Sequence, residues 1–390
     1  SLPHKRLPQV LGIDPPARTI VDSLEALGFK VKTEPERFLV DAPYWRRDVQ
    51  IPDDVVEEVA RMIGYDRIPV EPLAGRVPPR VVQPLRELRE RLKDFLVDAG
   101  MQEIITYPLT SLEVLSRVVP GDVLERTPPL AVVNPLNLGQ ERLRTSLRAS
   151  VLEAAARNLR LGRTRIALFE AARVYLPAHG PLPEERERIV GVVAGPRLDR
   201  WGNPTSEGVD FFDAKAYVQQ TFDRSGVEVS YGASEEYGLL AGRSAELRVG
   251  EGTVGILGQV HPKTAETFGL TDDLYLFEVR LEDLLPHVRV VPHYRALAKF
   301  PAVVEDIAVI VSRETAASSL VEEILEHPLA SSARVFDEYQ GEPIPEGKKS
   351  LALSIAYQAP DRTLTDADVK KAREKIVARL AAKFGAELRQ

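Results

Sequence analysis

The sequence predicts an α+β protein of three domains, and three observations lead to that prediction. Proline-rich stretches divide the 390-residue chain into three parts, and such stretches resist helix formation and are typical of extended linkers. Helical and strand-like patterns are mixed within the first two parts, which favours a largely antiparallel sheet. The last part has the element order βαββαβ, which is typical of a ferredoxin-like domain.

Composition and charge exclude several classes of protein. With 44% hydrophobic and 28% charged residues, the chain is an ordinary globular sequence that can bury real cores. Its net charge of −7 argues against a dedicated nucleic-acid binder, which is usually basic, so any RNA contact must be local. The absence of cysteine excludes disulfides and thiolate zinc sites, and it fits a reducing, cytoplasmic setting. No apolar run approaches the ~20 residues that would span a membrane.

Two proline-rich seams set the domain boundaries, at 68–79 and 285–301. They leave domains near residues 1–72, 80–286 and 296–390. Periodicity predicts the elements of each domain. In the first we expect helices over 17–27 and 53–63 and strands over 29–32 and 37–40. In the second we expect helices over 84–99 and 150–161 and strands over 103–107, 165–169, 188–194, 245–249, 253–257 and 274–279. In the third we expect strands over 306–311, 333–339 and 350–357, helices over 317–326 and 366–384, and a short terminal strand.

Four carboxylates in the first domain form the sharpest cluster in the sequence. On a helix with 100° per residue, Asp54, Glu57 and Glu58 share one face, and Asp48 can approach from the preceding loop. Mg²⁺ needs such clustered oxygen ligands, so a metal site is one interpretation. The other is structural, because Asp54 and Glu57 have the spacing of a capping box and the helix dipole favours acidic residues at its N-terminus. The residues alone favour the structural interpretation.

A longer string around these carboxylates resembles a known family. Residues 43–48 read Pro-Tyr-Trp-Arg-Arg-Asp, and residues 54–69 read Asp-x-x-Glu-Glu-Val-Ala-Arg-x-x-Gly-Tyr-Asp-x-Ile-Pro. The string is similar to the signature of a small module, with a fold like that of DNA-binding domains, in the β subunits of bacterial-type phenylalanyl-tRNA synthetases. The resemblance favours the metal interpretation, because in that family Mg²⁺ is assigned to the positions of Asp48, Asp54, Glu57 and Glu58.

The middle domain resembles the same family's catalytic-like module, which is built on the class II synthetase fold of an antiparallel sheet flanked by helices. The strings that carry this resemblance are 141–148, 158–160, 167–175 and 258–263. Class II activation uses the Arg of an Arg-x-Glu strand motif to hold the α-phosphate of ATP, because charge that develops on phosphorus needs positioned cations. Here the Glu is Glu170, but Leu168 stands at the Arg position. We therefore expect no catalytic residue in this chain.

Several basic residues of the middle domain have two interpretations. Arg142, Arg144 and Arg148 could be solvated or packed within the domain. Alternatively, they could contact another subunit or a phosphate. His261 precedes a proline and is expected to be a loop residue rather than a metal ligand.

The last domain resembles the ferredoxin-like anticodon-binding module that ends this family's β subunits, on residues 299–308 and 359–366. Its charge does not predict RNA binding, and a basic helix face is usually a solvated one. The resemblance nevertheless makes five residues of the basic C-terminal helix candidates for tRNA contact: Lys370, Lys371, Arg373, Lys375 and Arg379. Phe336 or Tyr339 could stack on unpaired bases, whereas strand periodicity places Tyr357 in the core.

The resemblance covers nearly the whole chain and implies a function. It is that of the C-terminal portion of a β subunit of phenylalanine–tRNA ligase, which scaffolds the catalytic α subunit in an (αβ)₂ heterotetramer and binds tRNA(Phe). ATP and phenylalanine would bind to the α subunit, and Mg²⁺ would be the cofactor. Two alternatives are an active class II ligase, against which Leu168 argues, and a free-standing non-catalytic scaffold or RNA-binding paralogue.

Overall fold

The structure is a computed structural model, and the residues that it describes are 1–71, 75–180, 182–289, 294 and 297–389. It divides into two compact units, Ser1–Val82 and Gln83–Gln390. The mixture of helices and antiparallel sheets confirms the predicted α+β class. The predicted boundaries at Pro72 and Ala296, and the proline at 292 in the second seam, lie outside the described residues, so the division into three domains stays a prediction.

The first unit contains a three-stranded antiparallel sheet and three helices. Its elements are β1 (Leu2–Pro3), α1 (Arg6–Leu11), α2 (Ala17–Ala26), β2 (Lys30–Thr33), β3 (Arg37–Asp41) and α3 (Pro52–Ile63). Strand β3 lies between β1 and β2. The core joins the sheet to the helices through residues such as Leu7, Leu24, Phe38 and Val59. Strand β1 and helix α1 were not predicted, because elements of two and six residues are too short to show a periodicity.

Helix α3 forms where the sequence predicts it. Proline stands at its first position, where the missing N–H costs nothing. Val55, Val56 and Val59 form its buried face. The helix stops at Gly64, whose φ of 99° is costly for a residue with a side chain.

The second unit begins with a larger α+β region. Its elements are α4 (Pro84–Asp98), β4 (Gln102–Glu103), β5 (Leu109–Thr110), α5 (Leu112–Ser116), α6 (Gly121–Arg126), β6 (Arg142–Leu143), α7 (Arg148–Arg160), β7 (Ile166–Leu176), β8 (Glu184–Ala194), β9 (Pro196–Leu198), β10 (Pro204–Gly208), α8 (Phe211–Arg224), β11 (Ser230–Ala233), β12 (Leu239–Val249), β13 (Gly252–Val260), α9 (Pro262–Thr267), β14 (Leu274–Arg280) and α10 (Leu281–Leu284). Seven of the strands form one sheet in the order β11-β12-β13-β14-β8-β7-β4. All neighbours in it are antiparallel except β4 and β7.

The two faces of this sheet carry separate cores. Helices α4 and α8 pack on the face that includes Phe169 and Phe277, and α7 packs on the face that includes Leu168 and Leu276. Gly191 on β8 stands opposite Phe277 on β14 in the ladder. A Cβ atom at Gly191 would lie 2.2 Å from Cζ of that ring, so only glycine leaves room for it.

Several elements of this region differ from the prediction. Strands β7 and β8 pair over eleven residues each, because cross-strand charge pairs extend the ladder beyond its apolar half. Helix α8 was missed, although Ala214, Val218 and Phe222 have helical spacing and Asp210 caps it. Strand β4 is shorter than predicted, because the backbone N–H of Thr106 donates to the carboxylate of Glu170 and not to a backbone carbonyl of a neighbouring strand.

The last part of the chain has the predicted βαββαβ order. Its elements are β15 (Val303–Ser312), α11 (Ala317–Leu325), β16 (Ala330–Tyr339), β17 (Lys348–Tyr357), α12 (Asp366–Phe384) and β18 (Glu387–Leu388). The antiparallel sheet has the order β16-β17-β15-β18, and both helices pack on one face through residues such as Leu320, Ile324, Ile376 and Leu380. Among the described helices, none is long and apolar enough to cross a membrane.

Candidate functional sites

One arginine ties the acidic helix α3 to the loop that precedes it. The Arg46 guanidinium donates to both carboxylate oxygens of Glu58, at 3.0 Å from Nη1 to Oε2 and 2.8 Å from Nη2 to Oε1. Its Nη2 also donates to Oδ2 of Asp48 at 2.6 Å. Arg61, one turn along α3, donates to Oε2 of Glu58 at 2.6 Å.

These contacts keep Glu58 and Asp48 ionised. Glu58 is only 6% exposed, and burial alone would raise the pKa of its carboxyl group. The hydrogen bonds from Arg46, and then from Arg61, outweigh this and lower the pKa of Glu58 to about 2. The hydrogen bond from Arg46 likewise lowers the pKa of Asp48. Both carboxylates therefore carry their charge at neutral pH and share one guanidinium.

Asp54 and Glu57 are placed differently. One oxygen of Asp54 accepts the backbone N–H groups of Gln50 at 2.7 Å and of Ile51 at 2.8 Å, so this side chain closes the N-terminus of α3. Glu57 is exposed on the helix surface. Asp54 therefore has a capping role, but at the third position of α3, where it accepts the N–H of the N-cap residue Ile51, and Glu57 takes no part in it.

As placed, the four predicted ligands do not fit a magnesium ion. Mg²⁺ requires oxygen ligands in near-octahedral geometry, whereas Asp48 and Glu58 bind Arg46 and Asp54 binds the backbone. Within the described part of the chain, no group of three or more His, Cys, Asp or Glu side chains is arranged to hold a metal. That these residues bind Mg²⁺ stays a prediction.

The sheet position that would hold the phosphate-binding Arg of a class II enzyme belongs to a packed core. Leu168 is 5% exposed and stands opposite Val192 in the ladder. Both belong to the core that α7 covers with Leu152 and Ala155. The side chain at this position therefore packs against apolar neighbours, and it offers no charge to a phosphate.

The Glu of the same motif is used inside the protein. Glu170 is buried, and its Oε1 accepts from Nη1 of Arg144 at 3.0 Å and from the backbone N–H of Thr106 at 3.1 Å. The hydroxyl of Thr106 donates to the second oxygen at 2.7 Å. This buried pair fixes the segment after β4 against β7.

The other basic residues in question also have internal partners. Arg148 donates to Glu278 at 2.6 Å and to Glu236 at 2.8 Å, and Arg142 donates to the carbonyl of Pro129 at 3.1 Å. The packing interpretation therefore describes these arginines, as it does Arg144. His261 caps helix α9, where its Nδ1 accepts a backbone N–H at 3.1 Å.

The candidate tRNA-binding residues of α12 fall into two groups. Arg379 lies 2.6 Å from Glu323 of α11, as does Lys383, which was not a candidate, and Arg373 lies 3.4 Å from Glu305 of β15. These contacts hold the helix to its own domain. The remaining candidates are exposed: Lys370, Lys371 and Lys375.

Aromatic residues of β16 lie at the edge of the last sheet. Phe336 and Tyr339 are exposed, and the guanidinium carbon of Arg389 lies 5.6 Å from the centre of the Tyr339 ring. Tyr357 is fully buried, which confirms that it is a core residue. The sequence reasoning did not single out Arg389 or Arg46, although Arg46 stands inside the string at 43–48.

Three stretches of the chain match sequence models of known domains. Residues 68–281, more than half of the chain, match the phenylalanyl tRNA synthetase beta chain CLM domain. Residues 298–389 match the ferredoxin-fold anticodon binding domain, and residues 1–65 match the tRNA synthetase B5 domain.

Curated relatives agree with these domains. The phenylalanine–tRNA ligase beta subunit of Dehalococcoides mccartyi is 37% identical over 95% of this chain and 45% of its own length. Those of Methylococcus capsulatus and Syntrophotalea carbinolica are 34% and 37% identical over 100% of this chain and 48% and 50% of their lengths. This chain thus spans about half the length of the curated relatives it matches.

Among solved structures, a pyrrolysyl tRNA synthetase from Desulfitobacterium hafniense has a TM-score of 0.41 and 17% identity, over 53% of this chain and 73% of that chain. A likeness at this level supports no argument. The domain matches and the curated relatives are sufficient to show that the chain belongs to the family of phenylalanine–tRNA ligase beta subunits.

Proposed function

We propose that this chain scaffolds the catalytic α subunit of a cytoplasmic phenylalanine–tRNA ligase and binds tRNA(Phe), without a complete active site of its own. The observation that carries the proposal is the synthetase-like sheet whose phosphate position is filled by Leu168 and its apolar neighbours. Without the arginine charge at this position the sheet can still keep the shape of the synthetase fold, and that shape can provide a surface on which another subunit packs. By this proposal ATP and phenylalanine bind to the α subunit in an (αβ)₂ heterotetramer.

An apolar arm supports the scaffold role. The arm is the segment 131–142, which is folded back on itself by a hydrogen bond of 2.9 Å between Val132 N and the Glu141 carbonyl. Val133, Leu136 and Leu138 are almost fully exposed on it. Apolar side chains gathered on an exposed segment often mark a protein–protein contact, and we assign this one to the α subunit.

Two surfaces of the last domain support tRNA binding. Lys370, Lys371 and Lys375 are exposed on α12, where they can neutralise phosphates. Phe336 and Tyr339 on β16 offer aromatic faces on which unpaired bases can stack. Because the domain as a whole is not basic, contact would be limited to these surfaces.

The proposed function assigns no step to the magnesium site predicted in the first unit. Of the four carboxylates predicted to hold it, two bind Arg46 and one caps a helix.

Copurification with a tagged α subunit, followed by light scattering and a phenylalanylation assay, tests the proposal. We expect a stable complex that charges tRNA(Phe), and we expect Leu136→Asp with Leu138→Asp to weaken it. Leu161→Asp, also an exposed leucine outside the arm, is the matched control and should leave the complex intact.

The proposal fails if the mixture shows only the masses of the separate components. If the chain then still binds tRNA, the free-standing RNA-binding alternative is the better description.

A further inference from the structure

We infer that Arg46 is the resident cation of the acidic helix α3 and fills the place that a divalent metal ion would need there. The inference goes beyond the proposed function and does not rest on it. It concerns which positive charge offsets the carboxylates of Asp48 and Glu58. It therefore also concerns whether a metal is needed to hold the loop that carries Asp48 against α3.

The first step is to ask which carboxylate oxygens are open to a metal. Each oxygen of Glu58 accepts from a different nitrogen of Arg46. Asp48 accepts through Oδ1 from Nε at 3.0 Å and through Oδ2 from Nη2 at 2.6 Å. All four oxygens of this pair therefore face one guanidinium. A metal ion at the same oxygens would be in direct contact with a like charge.

The second step concerns the other two predicted ligands. Asp54 Oδ2 accepts two backbone N–H groups at the start of α3, so only its second oxygen, Oδ1, could face a metal while those groups stay paired. Glu57 is exposed on the helix surface. One oxygen of Asp54 and the carboxylate of Glu57 supply only part of the octahedral oxygen shell of a magnesium ion.

The third step is that Arg46 is held in place. Its guanidinium carbon lies 5.6 Å from the centre of the Phe29 ring, so the side chain is supported by the core as well as by the carboxylates. A guanidinium is planar, always charged, and matched to the geometry of a carboxylate. Arg46 can therefore join the loop that carries Asp48 to the helix that carries Glu58 without an external ion.

Metal binding provides the first test. Electron paramagnetic resonance can follow free Mn²⁺, as a stand-in for Mg²⁺, during titration of the full chain and of its Glu58→Gln variant. The difference between the two titration curves cancels the Mn²⁺ that binds elsewhere on the chain. We expect the two curves to coincide, because Glu58 binds no metal ion. A wild-type site that Glu58→Gln abolishes would overturn the inference.

Stability of the first unit provides the second test. Trp45 lies next to Arg46, and the only other tryptophan is Trp201, so in a Trp201→Phe background the fluorescence of Trp45 reports on this unit. We expect Arg46→Met to lower the urea midpoint, and Arg47→Met to leave it unchanged. Arg47 is the matched control, because it is an exposed arginine at the adjacent position.

Two further comparisons separate the arginine from a metal. The midpoint of the Trp201→Phe parent should be the same in EDTA and in millimolar Mg²⁺. Adding Glu58→Gln to Arg46→Met should raise the urea midpoint part of the way back, because the variant then has no buried carboxylate that lacks its full set of cations. If Arg46→Met alone does not fold, the double variant is measured in its place. Equal midpoints for Arg46→Met and Arg47→Met, or a parent midpoint that rises with Mg²⁺, would show that Arg46 is not the resident cation.

Discussion

Two single side chains define the sheet at the positions of the class II phosphate motif. At Leu168 an apolar side chain packs where the class II motif places a cation, and at Glu170 the surviving acid binds Arg144. The apolar residue at 168 could be predicted from the sequence, because that position can be compared directly with the Arg of the class II Arg-x-Glu motif. The partner of Glu170 could not, because Arg144 lies 26 residues away in the chain.

Restoring the motif residue should not restore the chemistry. We predict that Leu168→Arg lowers the free energy of unfolding by at least about 2 kcal/mol, because it buries a charge among apolar side chains. It should also give no ATP–pyrophosphate exchange. Urea unfolding and an exchange assay measure the two effects. Leu161→Arg, at an exposed leucine, is the control and should change stability by no more than about 0.5 kcal/mol. Exchange activity in the Leu168→Arg chain would contradict this account.

Arg46 shows a different limit of sequence reasoning at the same scale. The helix face that carries Glu58 was predictable from spacing, and so was the approach of Asp48 from the loop. The identity of the cation between them depends on how that loop turns, which periodicity does not describe.

Among the elements, helix α12 was predicted with the bounds that the structure gives it, Asp366–Phe384. Its ends carry strong signals: Thr365 and Asp368 form a capping box, and Gly385 adopts a left-handed conformation. Strand β4 had no such signals, and the hydrogen bond from the backbone N–H of Thr106 to Glu170 limits its length.

The charges of α12 should separate into binding and stabilising groups. We predict that Lys370→Met with Lys371→Met weakens tRNA binding and reduces its salt dependence by about 0.7–0.9 in slope per lost phosphate contact. Arg379→Met should instead lower stability, because Glu323 keeps only its contact with Lys383. Filter binding over a range of KCl concentrations, with thermal unfolding, tests both effects. The prediction fails if Arg379→Met reduces affinity more than the double lysine change does.

At the scale of the whole molecule, the proline seams and the resemblance predict three domains, and the three stretches that match family models lie along the chain in the order that the resemblance implies. The arm at 131–142 did not follow from the sequence. Its apolar residues would be expected in a core, and only the fold shows that they face outward.

The pure chain should give no phenylalanine-dependent ATP–pyrophosphate exchange, because its sheet offers ATP no cation at Leu168. Exchange should appear when the α subunit is added, which serves as the positive control for substrate and buffer. Exchange by the chain alone that mutations in 83–284 abolish would mean that it is a ligase in its own right.

The contact between Gly191 and Phe277 has a consequence for how relatives of this chain can vary. A ring on one strand occupies the space of the missing side chain on the next, so the two positions share a single volume. A methyl group at 191 can be inherited only together with a smaller residue at 277. An alignment of this family should therefore show these two positions covarying in size, even though they are 86 residues apart in the chain.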